Sequence, residues 1–172
     1  GFHLQDFSSL LKSRLVWVLL LFMSASMGCY DTLSTWAPKV LEMKGLSPSL
    51  ASLLPLGFFL AGPVVGFLSD RFQNPRSAVA FLGVMAAAAI TAINVLPYPL
   101  LLFFLFLSGF STMGVLTITL ALPGEREELS STVGTVVGLI SSLGNIGPLV
   151  MPFLFGLLID FTSGFHASVY FV

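Results

Sequence analysis

Residues 100–122 read LLLFFLFLSGFSTMGVLTITLAL, a run of 23 residues that contains no charged side chain. A helix needs roughly 20 mostly apolar residues to cross the hydrocarbon core of a bilayer. The run is long enough, so it predicts a membrane-spanning helix. The motif Pro97-Tyr98-Pro99 just before it is typical of a tight turn with a tyrosine at the membrane interface. This stretch places the chain among integral membrane proteins.

Similar runs lie on both sides of this segment. They predict further spans at about residues 15–37, 48–68, 77–96 and 132–159, and a sixth that begins near residue 167 and is cut off at 172. The predicted fold class is all-α, a polytopic membrane helix bundle with six transmembrane helices, the last one truncated. Residues 1–14 form a short cytoplasmic lead-in to this single membrane domain. Because the sequence starts at Gly1 and stops inside an apolar stretch, we expect a fragment of a longer chain.

The overall composition agrees with a membrane protein. Of the 172 residues, 56% are hydrophobic and 9% are charged, whereas soluble domains carry about 25% charged residues. The formal net charge of -1 gives no basic excess, so we expect no nucleic acid partner. The single cysteine, Cys29, cannot form an internal disulfide. No Cys/His cluster has the spacing of metal ligands, so we expect neither a metal nor a cofactor.

The positions of lysine and arginine predict the orientation of the chain in the membrane. Five of them lie on the side of the N-terminus, namely Lys12, Arg14, Arg71, Arg76 and Arg126, and two lie on the opposite side, Lys39 and Lys44. Cytoplasmic loops carry the excess of positive charge in membrane proteins. We therefore expect the N-terminus and the loops at 69–76 and 123–131 to be cytoplasmic, in a multi-pass protein of the cell (plasma) membrane.

Two short strings recur along the chain. The second span ends with Gly66-Phe-Leu-Ser-Asp70 and the fifth with Gly156-Leu-Leu-Ile-Asp160, a G-x-L-x-D pattern repeated after 90 residues. A weaker match relates Ser26-Met-Gly28 in the first span to Thr112-Met-Gly114 in the fourth, 86 residues later. Helices three apart in order cross the membrane in opposite senses, so these matches fit two inverted three-helix repeats. Chance similarity in a glycine- and leucine-rich chain is the alternative.

The loop after the second span carries a recognisable signature. Residues 66–76 read GFLSDRFQNPR, which resembles the G-x-L-x-D-R-x-x-R/K-rich loop of the major facilitator superfamily. In that family the loop is cytoplasmic and joins the second and third helices of each six-helix half. The resemblance implies a cytoplasmic gate formed by Gly66, Leu68, Asp70, Arg71 and Arg76, with Gly156 and Asp160 as its repeat equivalents. The alternative is a solvated Asp-Arg pair, which contributes less than ~1 kcal/mol.

Departures from the signature indicate which half this is. Gln73 replaces the family's usual glycine, and Pro75 precedes a single closing arginine. The motif is looser in C-terminal halves of the family, and the fourth span lacks the arginine typical of N-terminal halves. The resemblance therefore implies helices seven to twelve, with a missing N-terminal six-helix half as partner. An N-terminal half stays open as an alternative, because Gly144–Pro148 partly resembles the glycine-proline motif of antiporters.

Polar residues inside a span are costly and need a reason. Asp31 is the one carboxylate within a predicted span and lies about 24 Å along the first helix at ~1.5 Å per residue. Ser34 shares its face at i+3. In the resembled family the first and fourth helices line the cavity, which implies that Tyr30 and Asp31 contact substrate or protons. Alternatively, Asp31 is hydrated at the outer interface or paired with Lys39.

Three further polar residues are candidates for the substrate or proton path. Asn145 lies in the middle of the fifth span, where its amide needs partners from another helix or from substrate. Ser111 and Thr112 form a weakly polar patch in the fourth span. Their hydroxyls can instead bond back to their own helix, so both interpretations stay open.

Small residues and prolines predict how the helices pack. The pairs Gly62/Gly66 and Gly134/Gly138 have the G-x-x-x-G spacing that lets helix backbones approach closely. Prolines inside spans remove a backbone donor and tend to kink the helix; they stand at positions 55, 63, 148 and 152. Trp36, near one end of the first span, has the position of a membrane-interface anchor.

The sequence as a whole predicts a secondary active transporter that moves a small polar or anionic solute by alternating access, with Asp31 as the candidate for proton coupling. We expect no enzyme, because a membrane-embedded enzyme needs clustered His, Cys or carboxylate groups and Asp31 stands alone among the spans. A non-transporting membrane sensor or assembly partner with the same fold is the remaining alternative.

Overall fold

The computed structural model describes residues 10–69, 74–126, 129 and 132–162, and within these ranges every regular element is helical. The elements are α1 (Arg14–Met43), a 3-10 turn (Pro48–Ser52), α2 (Leu53–Ser69), α3 (Pro75–Val95), α4 (Leu100–Ala121), α5 (Val133–Gly144) and α6 (Ile146–Thr162). Five stretches are long and apolar enough to cross a membrane, with α5 and α6 together forming the fifth. The predicted all-α membrane bundle is thus confirmed for five spans, while the sixth segment lies outside the described residues.

The first helix continues past its predicted end. The sequence suggested an end at residue 37, before Pro38, but α1 runs on through the proline to Met43. The proline costs one helical hydrogen bond, and the helix continues because the following turn is itself well formed. Gly45, two residues after the last helical residue, terminates the helix, because its φ of 73° is easily adopted only by glycine. The amide N–H groups of Gly45 and Leu46 donate to Glu42 and Leu41, which closes the helix.

The far end of α1 is also tied to α3. The Lys44 ammonium donates a hydrogen bond of 3.0 Å to the Ile93 carbonyl oxygen. Partial loss of water around this group lowers the pKa of Lys44. The contact fixes the end of α1 beside the end of α3.

The third helix begins with a cap that the sequence analysis missed. The Asn74 side-chain oxygen accepts a hydrogen bond of 3.2 Å from the Arg76 amide, and Pro75 occupies the first helical position. Both features are typical of helix starts. The second half of the signature loop is therefore a helix cap, which sets Arg76 on the first turn of α3.

The fourth helix is the centre of the bundle. It packs along α2 and α3 and also contacts α1, while α1 in turn packs along α5 and α6. Several α4 side chains are fully buried, among them Leu101, Ser108, Ser111 and Thr119. The order of the helices therefore leaves α2 and α6 on either side of α1, each with one face uncovered by the described residues.

Glycines let the helices approach at two crossings. At the crossing of α2 and α4, a side chain at Gly57 would meet the Phe106 carbonyl and one at Gly109 would meet the Leu54 carbonyl. At the crossing of α1 and α6, a side chain at Gly147 would meet the Ser24 carbonyl. Backbones this close are possible only without a Cβ atom.

The predicted glycine pairs are not where the helices meet. A Cβ at Gly66, Gly134 or Gly138 would meet no described atom within 4 Å, and one at Gly62 would touch only the end of Met113 at 3.5 Å. The expectation of close approach at these pairs is wrong within the described residues. The G-x-x-x-G spacing identifies a smooth helix face but not the helix that covers it.

The fifth span is broken at Asn145 because of Pro148. In a continuous helix the amide of residue 148 would donate to the Gly144 carbonyl, and proline has no N–H. The Ser24 hydroxyl of α1 donates to the Gly144 carbonyl instead, at 3.0 Å. The Asn145 amide donates to the Ser141 carbonyl at 2.6 Å. Side chains therefore supply the hydrogen-bond donors for the two carbonyl groups at the break, as the hydrocarbon core requires.

The crossing of α1 and α6 predicts opposite effects for two alanine substitutions. Gly147→Ala places a methyl group against the Ser24 backbone, so we expect a loss of about 1–3 kcal/mol of unfolding free energy. Gly83→Ala in α3 is the matched control, because its Cβ meets nothing within 4 Å and alanine is the better helix former by about 1 kcal/mol. Thermal unfolding in detergent measures both, and equal melting temperatures for the two variants would contradict this packing.

Candidate functional site

The candidate site lies on the side of α1 between α2 and α6. The Tyr30 ring packs against Phe58 of α2 with centroids 4.2 Å apart, while Gly28 lies against Met151 of α6. Successive residues turn by about 100° around a helix, so Asp31 points between these two contacts. The buried residue Leu33 lies on the opposite side of α1. Asp31 therefore faces the gap between α2 and α6.

Asp31 is half-buried and has no hydrogen bond or ion pair within the described part of the chain. The suggested pairing with Lys39 is wrong, because the Lys39 ammonium lies 3.0 Å from the Glu42 carboxylate and both groups are exposed. A carboxylate without a protein partner is free to meet a ligand or a proton. Two interpretations of Asp31 stay open: it is hydrated at the outer interface, or it contacts substrate or protons.

Two neighbours add polarity to the same region of α1. Ser34 lies one turn beyond Asp31 and is exposed. Its carbonyl oxygen would accept from residue 38 in a regular helix, but Pro38 has no N–H to donate. A carboxylate, a hydroxyl and a carbonyl oxygen without its helical donor therefore lie within about two turns of one helix.

Ser111 and Thr112 lie elsewhere, in the interior of the bundle. The Ser111 hydroxyl donates to the Leu107 carbonyl at 2.7 Å, and the Thr112 hydroxyl donates to the Ser108 carbonyl at 2.9 Å. Both side chains are buried. Their hydroxyl protons are committed to their own helix, as the alternative interpretation proposed. The structure does not bring them together with Asp31, and their contact with substrate stays a prediction.

The Thr112 backbone has an interhelical role. Its carbonyl oxygen accepts a hydrogen bond of 2.6 Å from the Ser26 hydroxyl of α1, in a buried position. Ser26 is on the side of α1 that faces α4, away from Asp31. This bond holds the two central helices in register, and the faint repeat was the one sequence feature that related these two residues.

Asn145 stands apart from the other candidates at the break between α5 and α6. Its side chain is exposed and its amide bonds to a carbonyl of its own span. It is therefore not the interhelical contact that we considered, because the bond satisfies the break caused by Pro148. The amide oxygen stays available on the open side of the bundle.

The signature loop is described only in part. Asp70 and Arg71 lie outside the described residues. Gly66 and Leu68 are near the end of α2, with Leu68 exposed, and Arg76 is exposed on the first turn of α3. The gate function of this motif stays a prediction.

The repeat-equivalent motif has a packing role on α6. A Cβ at Gly156 would lie 3.2 Å from the Trp36 ring, and that ring packs on Phe155 with centroids 5.6 Å apart. Trp36 is thus half-buried against α6, and its role as a membrane-interface anchor stays a prediction. Asp160 is exposed near the end of α6.

No three His, Cys, Asp or Glu residues within the described ranges come together as a metal site. The arrangement consists of spanning helices, a satisfied break in the fifth span and a lone carboxylate on an open face. These features define a multi-pass helical membrane protein with a carboxylate on an uncovered face of α1.

Comparison with known proteins identifies the family. The family model described as Major Facilitator Superfamily matches the chain at residues 1–125 and again at 50–172. The chain belongs to the Major Facilitator Superfamily. No solved structure matches it to a significant degree.

Several curated relatives are transporters. The chain is 28% identical over 169 residues to a gentisate transporter of Corynebacterium glutamicum, covering 94% of this chain and 38% of that protein. It is 26% identical over 180 residues to a quinolone resistance transporter of Acinetobacter baumannii, covering 99% and 40%. It is 31% identical over 130 residues to solute carrier family 22 member 7 of Bos taurus, covering 75% and 23%. The chain thus spans about two fifths of the length of the first two relatives.

The open face of α1 predicts a difference in chemical accessibility between adjacent positions. In a version of the full-length protein whose native cysteines are replaced, we expect Ser34→Cys to react with a water-soluble maleimide at least about tenfold faster than Leu33→Cys. The reason is that Ser34 is exposed and Leu33 is buried among apolar side chains. Labelling rates measured in proteoliposomes test this, and equal rates at the two positions would contradict the assigned face.

Proposed function

We propose that the protein is a secondary active transporter that moves a small polar or anionic solute by alternating access. The observation that carries the proposal is the half-buried, unpartnered carboxylate of Asp31 on an open face of α1, in a chain of the Major Facilitator Superfamily. Transport needs a site that binds solute weakly enough to release it, and no covalent chemistry. A single carboxylate flanked by hydroxyl and carbonyl groups suits that task.

The chain forms one half of the transport unit in this proposal. Apolar side chains on α2 and α6 are largely exposed, with 74% of Phe59, 77% of Leu149 and 65% of Phe153 accessible. Gly134 and Gly138 on the fifth span are exposed as well, and a Cβ at either would meet no described atom within 4 Å. A second six-helix bundle would cover these faces and close a cavity around Asp31. The coverage of about two fifths of the transporter relatives supports this.

Two inverted three-helix units within this half are also part of the proposal. Gly57 and Gly147 are 90 residues apart, the same offset as the repeated G-x-L-x-D strings, and each lies against the backbone of a neighbouring helix. Ser26 and Thr112 are 86 residues apart and bond to each other. Residues related by a two-fold axis that lie near it contact each other. These contacts support the repeat, with the sixth helix completing the second unit.

The orientation follows the positive-inside rule, with the N-terminal side of α1 and the signature loop in the cytoplasm of a cell in whose plasma membrane the protein resides. In this orientation Asp70, Arg71 and Arg76 form the cytoplasmic gate, and Asp70 pairs with a helix of the missing N-terminal half. Tyr30, Asp31 and Ser34 lie toward the outer half of the cavity.

We infer that the solute is a small organic anion. One relative is named for gentisate, an anion, and another belongs to a solute carrier family. In the proposed cycle Asp31 exchanges a proton with the aqueous phase and its protonated form admits the anion, since two like charges repel in a site of low dielectric constant. Proton and solute would then cross together.

The second candidate is a sensor or assembly partner that keeps the fold without transport. Two features make the bundle rigid: the hydrogen-bonded break between α5 and α6 and the buried bond between Ser26 and Thr112. A rigid bundle suits a transporter and a sensor or assembly partner equally well. The two candidates differ in one observable, because only a transporter exchanges solute across a sealed membrane.

The proton-coupling role of Asp31 predicts a split phenotype. In proteoliposomes that contain the full-length protein, we expect Asp31→Asn to abolish proton-driven uptake of small organic anions, with gentisate as the first probe, yet to retain solute exchange at equal pH. The substitution removes the titrating group and preserves its shape. Glu42→Gln is the matched control, because Glu42 is an exposed carboxylate paired with Lys39 and should leave uptake unchanged.

Two outcomes of this assay would count against the account. Unchanged proton dependence in Asp31→Asn would remove the coupling role from Asp31. Absence of both uptake and exchange across a panel of organic anions in the native protein would favour the sensor or assembly alternative.

A further inference from the structure

A cavity separate from the Asp31 site lies at the end of the bundle that carries most of the positive charge. It has a volume of about 270 Å³ and is enclosed by the first half of α1, the start of α3 and the end of α4. Its polar lining residues are Arg76, Thr119 and Arg126, and the others are apolar, among them Val18 and Phe22. The site does not include Asp31, and nothing about it depends on transport.

Thr119 is an unusual residue in this cavity. Its side chain is fully buried, yet the hydroxyl has no hydrogen-bond partner among the residues that the structure describes. Other threonines of α4 bond back to their own helix, as Thr117 does to the Met113 carbonyl at 2.9 Å. A buried hydroxyl without a partner is destabilising, and native proteins rarely retain one without a reason. Thr119 therefore places a hydroxyl without a described partner in the wall of a cavity that has room for a ligand.

Two guanidinium groups complete the polar side of the cavity. Arg76 comes from the first turn of α3, and Arg126 follows the end of α4. Among the described residues neither arginine lies within 4.0 Å of a carboxylate. Guanidinium groups bind phosphate by paired hydrogen bonds and carry a full positive charge at any physiological pH. Two arginines and a hydroxyl in the wall of one cavity provide the kinds of donor that bind a phosphate group.

The apolar side of the cavity indicates which kind of phosphate compound would bind. Val18 and Phe22 of α1 line the cavity and are partly exposed on the outside of the helix. A free phosphate ion would leave these side chains uncovered, whereas the glycerol and upper acyl chain of a lipid would pack on them. Basic pockets between helices at the cytoplasmic side are known to take lipid head groups.

We propose that this cavity binds the phosphate head group of an anionic phospholipid, with Arg76, Arg126 and the Thr119 hydroxyl as its hydrogen-bond donors. The lipid satisfies the buried hydroxyl and neutralises the two arginines, while its acyl chain lies along α1. It joins the start of α3 to the end of α4 on the side predicted to be cytoplasmic.

Native mass spectrometry of the full-length protein in detergent, titrated with phosphatidylglycerol, tests the proposal. We expect the double variant Arg76→Gln/Arg126→Gln to bind the first phosphatidylglycerol at least about tenfold more weakly, because two charge-assisted contacts are lost. Arg14→Gln is the matched control, an exposed arginine at the same end of the bundle that does not line the cavity. An equal loss in Arg14→Gln would mean diffuse surface attraction and would overturn the site.

Thr119→Val provides a second test that does not change the charge. Because the hydroxyl has no partner in the described part of the chain, we expect this variant to keep or raise the melting temperature in lipid-free detergent. It should nevertheless bind phosphatidylglycerol several-fold more weakly. A fall in melting temperature, or unchanged lipid binding, would contradict the role of the hydroxyl in the site.

The source of the phosphate is tested in the same titration. Phosphatidylcholine with identical acyl chains should bind the native protein about tenfold more weakly than phosphatidylglycerol, since its choline group meets two arginines. Millimolar inorganic phosphate should not displace the bound lipid. Displacement by inorganic phosphate, or equal binding of the two lipids, would overturn the assignment to an anionic phospholipid.

Discussion

The structure depends on one constraint: every backbone N–H and C=O group inside the hydrocarbon core must find a partner within the protein. The constraint makes all described spans helical, and it governs the places where a helix is interrupted. At Pro148 the Gly144 carbonyl loses its helical donor and receives the Ser24 hydroxyl instead. The Asn145 side-chain amide donates a hydrogen bond to the Ser141 carbonyl in the same break. A bent fifth span is therefore built without leaving these two carbonyls unpaired.

The same constraint makes the remaining exceptions informative. Buried hydroxyls at Ser26, Ser108 and Ser111 are all bonded to a carbonyl, so an unpartnered group is not a general feature of this bundle. Asp31 and Thr119 are polar side chains in membrane spans that lack a described partner. They lie at different places, one on the open face of α1 and one inside a cavity beside two arginines. In the proposals made above, a transported solute or proton binds at Asp31 and a lipid binds at the cavity that Thr119 lines.

The sequence predicted the number and placement of the described spans well, because their length and lack of charge are set by the thickness of the bilayer. The sequence predictions were wrong where the packing between helices determines the structure. Pro38 did not end α1, since the turns on both sides of it are stable, and the G-x-x-x-G pairs did not lie at close contacts between the described helices, since glycine spacing does not specify a partner. Among the site residues, Asp31 could be chosen from its rarity alone. Thr119 could not, because threonines in helices usually bond to their own backbone and only the structure reveals the exception.

In the proposed transporter, the exposed faces of α2 and α6 belong to an interface with a second helix bundle, which closes the cavity around Asp31. Oxygen accessibility of spin labels in bilayers distinguishes such an interface from lipid, with single cysteines placed at Phe59 of α2, Phe153 of α6 and, as a lipid-facing reference, Phe81 of α3, which is 67% exposed. We expect low oxygen accessibility at positions 59 and 153 and high accessibility at 81 in the full-length protein. Equally high accessibility at all three positions would mean that lipid covers α2 and α6, and the proposed interface would then be wrong.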